Sequence, residues 1–208
     1  TCKHLKYSNK PVVSAPSGLA LGGGEEVLLQ SNYVVSHTNI VMGLVETIVG
    51  LVPAGGGCKE LLWRWTQTEH AKKDPDFASL KVFEIIGNAQ TASSPQEAKP
   101  NLFLDSNHEV IINRNNLFSA ARSFITKNPH FKPPQECKFK LSGKNVRKKM
   151  QKILDDLYNS KKILDHGMIV GKELAYVLSG GETNLQNEIS EDKMYELELN
   201  SFMKLIET

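Results

Sequence analysis

An α/β chain is predicted from three features of the sequence. β-Branched runs alternate with glycine clusters over residues 11–57, amphipathic stripes take over from Cys58, and 208 residues with 40% hydrophobic content suffice for a buried core. That size fits one domain, or one domain with an appendage. The division expected is a core over residues 1–137 and a helical region over residues 138–208.

The first part runs Pro11-Val12-Val13-Ser14-Ala15, then Gly22-Gly23-Gly24, then Tyr33-Val34-Val35-Ser36-His37, then Gly55-Gly56-Gly57. This pattern reads as strand, turn, short helix, strand, turn, helix. Glu25 and Glu26 fall in the first turn of the short helix, where carboxylates suit the positive end of the helix dipole. Phe77, Leu80, Phe83 or Glu84, and Ile86 or Gly87 then follow a turn-by-turn rhythm, and Leu117, Ala120, Ala121, Phe124 and Ile125 form an apolar stripe. Between these helices lies a Ser/Thr/Pro-rich stretch over residues 90–99, followed by Leu102-Phe103-Leu104 and Val110-Ile111-Ile112 as candidate short strands.

Residues 129–140, with Pro133-Pro134, are the linker candidate, because paired prolines stop helices on both sides. Three amphipathic helices follow. Their stripes are Val146, Met150, Ile153, Leu154 and Leu157; Leu174, Val177 and Leu178; and Tyr195, Leu199, Phe202 and Ile206. Ser179-Gly180-Gly181 ends the second helix and Ser190-Glu191-Asp192 starts the third with a cap. Only two or three strands are convincing, so sheet edges are left open. Strands from an upstream segment or from a partner are expected to cover them.

Composition narrows the function classes. Lys and Arg total 25 against 23 Asp and Glu, and a net charge of +2 gives no sequence-independent pull toward nucleic acid or an anionic membrane. Cys2, Cys58 and Cys137 are odd in number and far apart, which fits neither a zinc site nor a disulfide framework and points to a reducing cytosol. No apolar run reaches the ~18 residues of a membrane span, and Thr1-Cys2-Lys3-His4 does not lead into a signal core. A soluble, untargeted, cytoplasmic chain is the expectation. The six histidines have no metal spacing, so no metal site is expected. Gly55-Gly56-Gly57-Cys58-Lys59 lacks the Gly-Lys-Ser/Thr of a phosphate loop and reads as a backbone turn.

Trp63 and Trp65 read as packing residues, and Lys144, Lys148 and Lys152 as the solvent face of a helix. Taken singly, Glu26 is a solvated first-turn carboxylate, and Glu46 in Met42-Gly43-Leu44-Val45-Glu46 is no more informative. Together they carry chemistry. A glycine triplet that opens a helix leaves N–H groups aimed outward, able to bind an oxygen with developing negative charge. Two carboxylates bordering a reacting carbon can hold one water, one taking its proton while the other delivers a proton to carbon.

The stretch Lys10-Pro-Val-Val-Ser-Ala-Pro-Ser-Gly-Leu-Ala-Leu-Gly-Gly-Gly-Glu-Glu26, with Glu46 in Gly-Leu-Val-Glu and then Gly50-Leu-Val-Pro-Ala-Gly-Gly-Gly57, resembles the crotonase (enoyl-CoA hydratase/isomerase) superfamily. More narrowly it resembles the hydratase part of bifunctional 3-hydroxyacyl-CoA dehydrogenase/enoyl-CoA hydratase proteins. The likeness is concentrated in residues 8–65, and its motifs are specific together and weak singly. It implies a partial ββα spiral core followed by a helical C-terminal region that covers the site and builds homo-oligomers. It also implies hydration of 2-enoyl-CoA to 3-hydroxyacyl-CoA. Gly23 would be an oxyanion-hole donor, Gly22 and Leu21 would border the substrate, and Glu26 and Glu46 would be the catalytic carboxylates. Coenzyme A enters as part of the acyl-CoA thioester. NAD belongs to a dehydrogenase portion that these residues do not supply, so the chain itself is expected to bind no cofactor.

In that family the other oxyanion donor and much of the CoA cradle come from a segment upstream of the Lys-Pro-Val-Val strand. The chain alone is therefore expected to be incomplete, with the upstream portion of the same protein as its partner. Loss of one such donor costs about 10²–10³ in rate. The alternatives are a catalytically inactive remnant or assembly module, and an enoyl-CoA isomerase.

Overall fold

The structure is a computed structural model that describes residues 2–208. Along the chain it runs α1 (Cys2–Lys6), β1 (Val13–Ser14), β2 (Gly18–Leu21), α2 (Gly23–Leu29), β3 (Tyr33–His37), β4 (Ile40–Gly43) and a 3₁₀ turn (Glu46–Val49). Next come α3 (Gly57–Thr66), α4 (Glu69–Lys73), α5 (Phe77–Gly87), α6 (Pro95–Ala98), β5 (Glu109–Ile111), a second 3₁₀ turn (Arg114–Asn116) and α7 (Leu117–Lys127). The last third holds β6 (Lys138–Lys140), α8 (Lys144–Asn159), α9 (Asp165–Leu178), β7 (Glu188–Ser190) and α10 (Glu191–Ile206). The α/β expectation stands.

The chain folds as two units. One comprises the residues up to Leu44 together with Thr91–Gln135, and the other comprises Val45–Gln90 together with Glu136–Thr208.

In the first unit β3 lies between β1 and β5, all parallel, with Val13 opposite Tyr33 and Val35 opposite Glu109. The stripe read from the sequence puts α7 on this sheet: Leu117 and Ala121 pack with the fully buried Val35, and Val13, Tyr33 and Ile111 close around them. The Tyr33 ring stacks on Phe124, 3.9 Å between centroids and 6° from parallel. A second parallel pair, β2 with β4, runs from Gly18 opposite Ile40 to Leu21 opposite Gly43. The returning chain is tied to it by an antiparallel bridge between Met42 and Ala92.

The second unit is mainly helical. Leu61 and Leu62 of α3 and Val82, Ile85 and Ile86 of α5 are fully buried. α8 buries Val146, Met150 and Leu154 of its predicted stripe, whereas Ile153 is 42% exposed. Gly171 of α9 lets the two helices approach closely, because a Cβ there would run into the Leu154 side chain. β6 and β7 pair antiparallel with Phe139 opposite Ile189.

Two local readings change, and the structure adds a strand that they did not include. Leu102-Phe103-Leu104 is a turn rather than a strand, with Leu102 at φ 58°. β2 is a strand despite its Gly-Leu-Ala-Leu sequence, which has low intrinsic preference for strand and depends on its partner. Residues 138–140, expected to end a linker, form β6, whose partner lies about 50 positions on. Among the described residues no helix is long and apolar enough to cross a membrane.

Candidate active site

The site residues read from the sequence lie on two local constructions, one in each unit. In the first, β2 ends at Leu21, and the next amide, Gly22, donates to the Gly43 carbonyl of β4 at 2.9 Å. Gly22 then takes φ 56° and ψ −124°, a conformation that side-chain-bearing residues avoid, and the chain turns into α2. The first amides of a helix have no partner within it. Among the described residues, those of Gly23 and Gly24 make no hydrogen bond, whereas the Glu26 amide donates to the Gly22 carbonyl at 3.0 Å. Gly23 is exposed, and a Cβ built on it would meet nothing within 4 Å.

Glu26 sits one turn beyond Gly23 and is 7% exposed, and its neighbour Glu25 is fully buried. The reading of Glu26 as a solvated first-turn carboxylate therefore gives way to a buried acid in the first turn of α2. Gly22, Gly23, Leu21 and Glu26 thus form one continuous strand–turn–helix feature.

Glu46 belongs to the second unit. It is half-buried and opens the 3₁₀ turn Glu46–Val49. Its carbonyl accepts the Leu51 amide at 3.0 Å, and Gly50 closes the turn at φ 80°. Two side chains outside the turn fix it: Thr47 Oγ1 donates to the Ile86 carbonyl of α5 at 2.9 Å, and His166 Nε2 of α9 donates to the Gly50 carbonyl at 3.3 Å. The glycine is required twice at position 50, since a Cβ would be strained by the left-handed φ and would run into the His166 ring. Sequence reading did not pick out Thr47 or His166. Their spacing from Glu46 and Gly50 carries no signal, because the contacts come from helix packing.

The second glycine cluster leads into a different structure. Lys59, after Gly57-Cys58, is fully buried, and its ammonium pairs with the Glu60 and Glu191 carboxylates and lies 4.7 Å from the Tyr195 ring centroid. Its amide donates to Glu198 Oε1 at 2.6 Å. Burial works against the charge on Lys59, but Glu60 and then Glu191 outweigh it and hold the ammonium above the usual lysine range. Among the described residues no group of His, Cys, Asp and Glu could hold a metal ion.

Comparison with known proteins extends over the whole chain. No family model matches it. Over 207 residues, 99% of this chain, it is 34% identical to the Bacillus subtilis (strain 168) protein "Probable 3-hydroxyacyl-CoA dehydrogenase", and it spans 26% of that relative's length. Over 57 residues it is 42% identical to the "Peroxisomal bifunctional enzyme" of Danio rerio, a match covering 27% of this chain and 8% of that protein. Among solved structures, a carnitinyl-CoA dehydratase from Mycobacterium avium 104 superposes with a TM-score of 0.55, covering 99% of this chain and 59% of the other at 16% identity. At that identity the likeness is one of fold.

Proposed function

Because the chain belongs to the crotonase superfamily, we propose that it is the later part of an enoyl-CoA hydratase of the fatty-acid oxidation type, acting on 2-enoyl-CoA thioesters. The observation that carries this is the strand–turn–helix feature at Gly22. It leaves the Gly23 amide without a hydrogen bond at an exposed position, with the buried carboxylate of Glu26 one turn beyond. Among the described residues nothing crowds position 23, so a need for glycine there would come from a ligand lying against the backbone.

In this reading the Gly23 N–H donates to the thioester carbonyl oxygen and stabilises the enolate that forms when water adds to C3. Glu26 and Glu46 handle that water: one takes its proton as the oxygen bonds to carbon, the other delivers a proton to C2, and the product is 3-hydroxyacyl-CoA. The upstream portion of the same protein supplies the second oxyanion donor and the rest of the CoA cradle. An NAD-dependent dehydrogenase portion would act on the product.

The test is hydration of crotonyl-CoA by the whole protein, followed as loss of the conjugated-thioester absorbance, with the product identified chromatographically. Glu26→Gln and Glu46→Gln should each lower kcat by about 10²–10⁴-fold, the usual contribution of a general acid or base. Full activity in both variants removes the reading. A shifted double bond in place of a 3-hydroxy product converts it to an isomerase, and silence of the folded whole protein makes it an assembly module.

A further inference from the structure

The first unit holds a cavity of about 290 Å³ at the C-terminal end of α2. Its walls are the last residue of α1, the end of α2 with the turn into β3, and the stretch that follows α7, all within that unit. The lining is polar and cationic. Lys6, Gln30 and Ser31 line it although each is at most 8% exposed, and Lys132 stands exposed beside them. Phe131 and Pro134 add an apolar side. Among the described residues no carboxylate lines the cavity. Two lysines lining one space without an acid make it a place where an anion gains energy and a cation loses it.

The C-terminal end of a helix is the wrong pole for an anion, and here that pole is covered. The Glu26 carbonyl accepts Gln30 Nε2 at 3.5 Å, the Val27 carbonyl accepts Ser31 Oγ at 2.8 Å, and the Leu28 carbonyl accepts the Ser31 amide at 3.1 Å. Asn32 ties the walls together, its Oδ1 taking the Val12 amide at 2.8 Å and its Nδ2 donating to the Lys6 carbonyl at 3.0 Å. The Lys6 ammonium lies 5.5 Å from the Tyr7 ring centroid. The walls are thus held by bonds within the chain, which lowers the ordering cost of binding.

We infer that this cavity binds a small phosphomonoester that carries a flat ring, with Lys6 and Lys132 holding the phosphate and Phe131 the ring. A phosphomonoester carries roughly two negative charges at neutral pH, which two lysines balance and a single carboxylate would not. Lysine suits it as a point-charge partner for phosphate. Ligand pockets span roughly 300–1,000 Å³, so this one lies at the small end and suits a ligand smaller than an acyl-CoA. The site is separate from the Gly23 turn, because Leu29 follows Gly23 by six positions, about 9 Å along the helix axis. Binding there goes beyond the hydratase reading and does not depend on it.

The experiment is calorimetric titration of the intact chain with phenyl phosphate and with inorganic phosphate, and with benzoate as the singly charged control. One site per chain is expected, with phenyl phosphate about tenfold tighter than inorganic phosphate and benzoate weaker than phenyl phosphate. Lys132→Ala, at an exposed position, should weaken phenyl phosphate by about tenfold or more, as should Lys6→Met, which keeps the apolar stem. Phe131→Ala should bring phenyl phosphate down to the level of inorganic phosphate. Lys127→Ala, on α7 outside the cavity, should change neither. AMP should bind more tightly than ribose 5-phosphate, and the reverse order or no difference overturns the flat-ring assignment. Absence of saturable binding at millimolar phenyl phosphate overturns the inference. So do equal losses in Lys132→Ala and Lys127→Ala, which would mark diffuse attraction to a basic surface. If circular dichroism shows that Lys6→Met does not fold, Lys132→Ala and Phe131→Ala decide the matter alone.

Discussion

Lys59 is the residue with the most energy at stake. Removing one partner of a buried ion pair leaves the other charge uncompensated, at a cost of about 3–5 kcal/mol. Lys59→Ala should lower stability by that amount in urea melts, because Glu60 and Glu191 both lose their shared cation. The pH dependence follows from the direction of the shift. Lys59 is held above its unfolded value, so its contribution is complete below that value, about 10.4, and is lost as pH rises through the higher folded one. The stability gap between the native protein and Lys59→Met should be flat from about pH 8 to pH 10 and should narrow only above that. A gap that narrows well below the lysine range would show that the ammonium is not held by its carboxylates. None of this is visible around Gly55-Gly56-Gly57 in the sequence. The cluster reads correctly as a turn, but the burial of Lys59 depends on Glu191, which lies on α10 at the far end of the chain.

The 3₁₀ turn that carries Glu46 is held from outside by α5 and α9, so its precision depends on bonds that Glu46 itself does not make. His166→Ala removes the bond to the Gly50 carbonyl at a stability cost of about 1 kcal/mol, typical of one hydrogen bond. If Glu46 is catalytic, the same change should lower kcat for crotonyl-CoA by roughly tenfold with little effect on KM, since small misplacements near the chemistry are costly. An unchanged kcat would mean that the turn keeps its shape without His166. Gly50→Ala should be worse than His166→Ala, losing at least about 1 kcal/mol to left-handed strain while also displacing the imidazole. Local signals explain what could be read in advance. The helix start after Gly22-Gly23-Gly24 and the stripes of α7 and α8 depend on neighbours within a turn or two, and they appear where the sequence put them. β2, β4, β6 and β7 are three or four residues long and exist through pairing, which periodicity does not register. The same limit applied to the candidate site. The Gly22-Gly23-Glu26 spacing was legible as a helix opening, whereas the burial of Glu26 and the anchoring of the Glu46 turn come from packing.

Neither unit is a continuous stretch of chain, and this governs how the molecule can be cut. The second unit joins Val45–Gln90 to Glu136–Thr208, and its strongest ties cross that gap: Lys59 with Glu191, the Lys59 amide with Glu198, and Ser79 Oγ with the Leu178 carbonyl at 2.9 Å. A fragment of residues 138–208 keeps β6, α8, α9, β7 and α10 but loses the α3 and α5 faces that they bury against. It would expose Leu174, Val177 and Leu178 of α9 and leave Glu191 and Glu198 without Lys59. A core of about 70 residues is already marginal, and this one would lose much of its apolar cover. The fragment should therefore show no cooperative thermal transition and should bind a dye that reports exposed apolar surface, whereas the intact chain melts cooperatively and binds little. Adding residues 45–90 back as a separate peptide should restore a transition through the Lys59 pairing, and the Lys59→Ala form of that peptide should not. A fragment that melts cooperatively by itself would show that α8, α9 and α10 carry a core independent of α3 and α5.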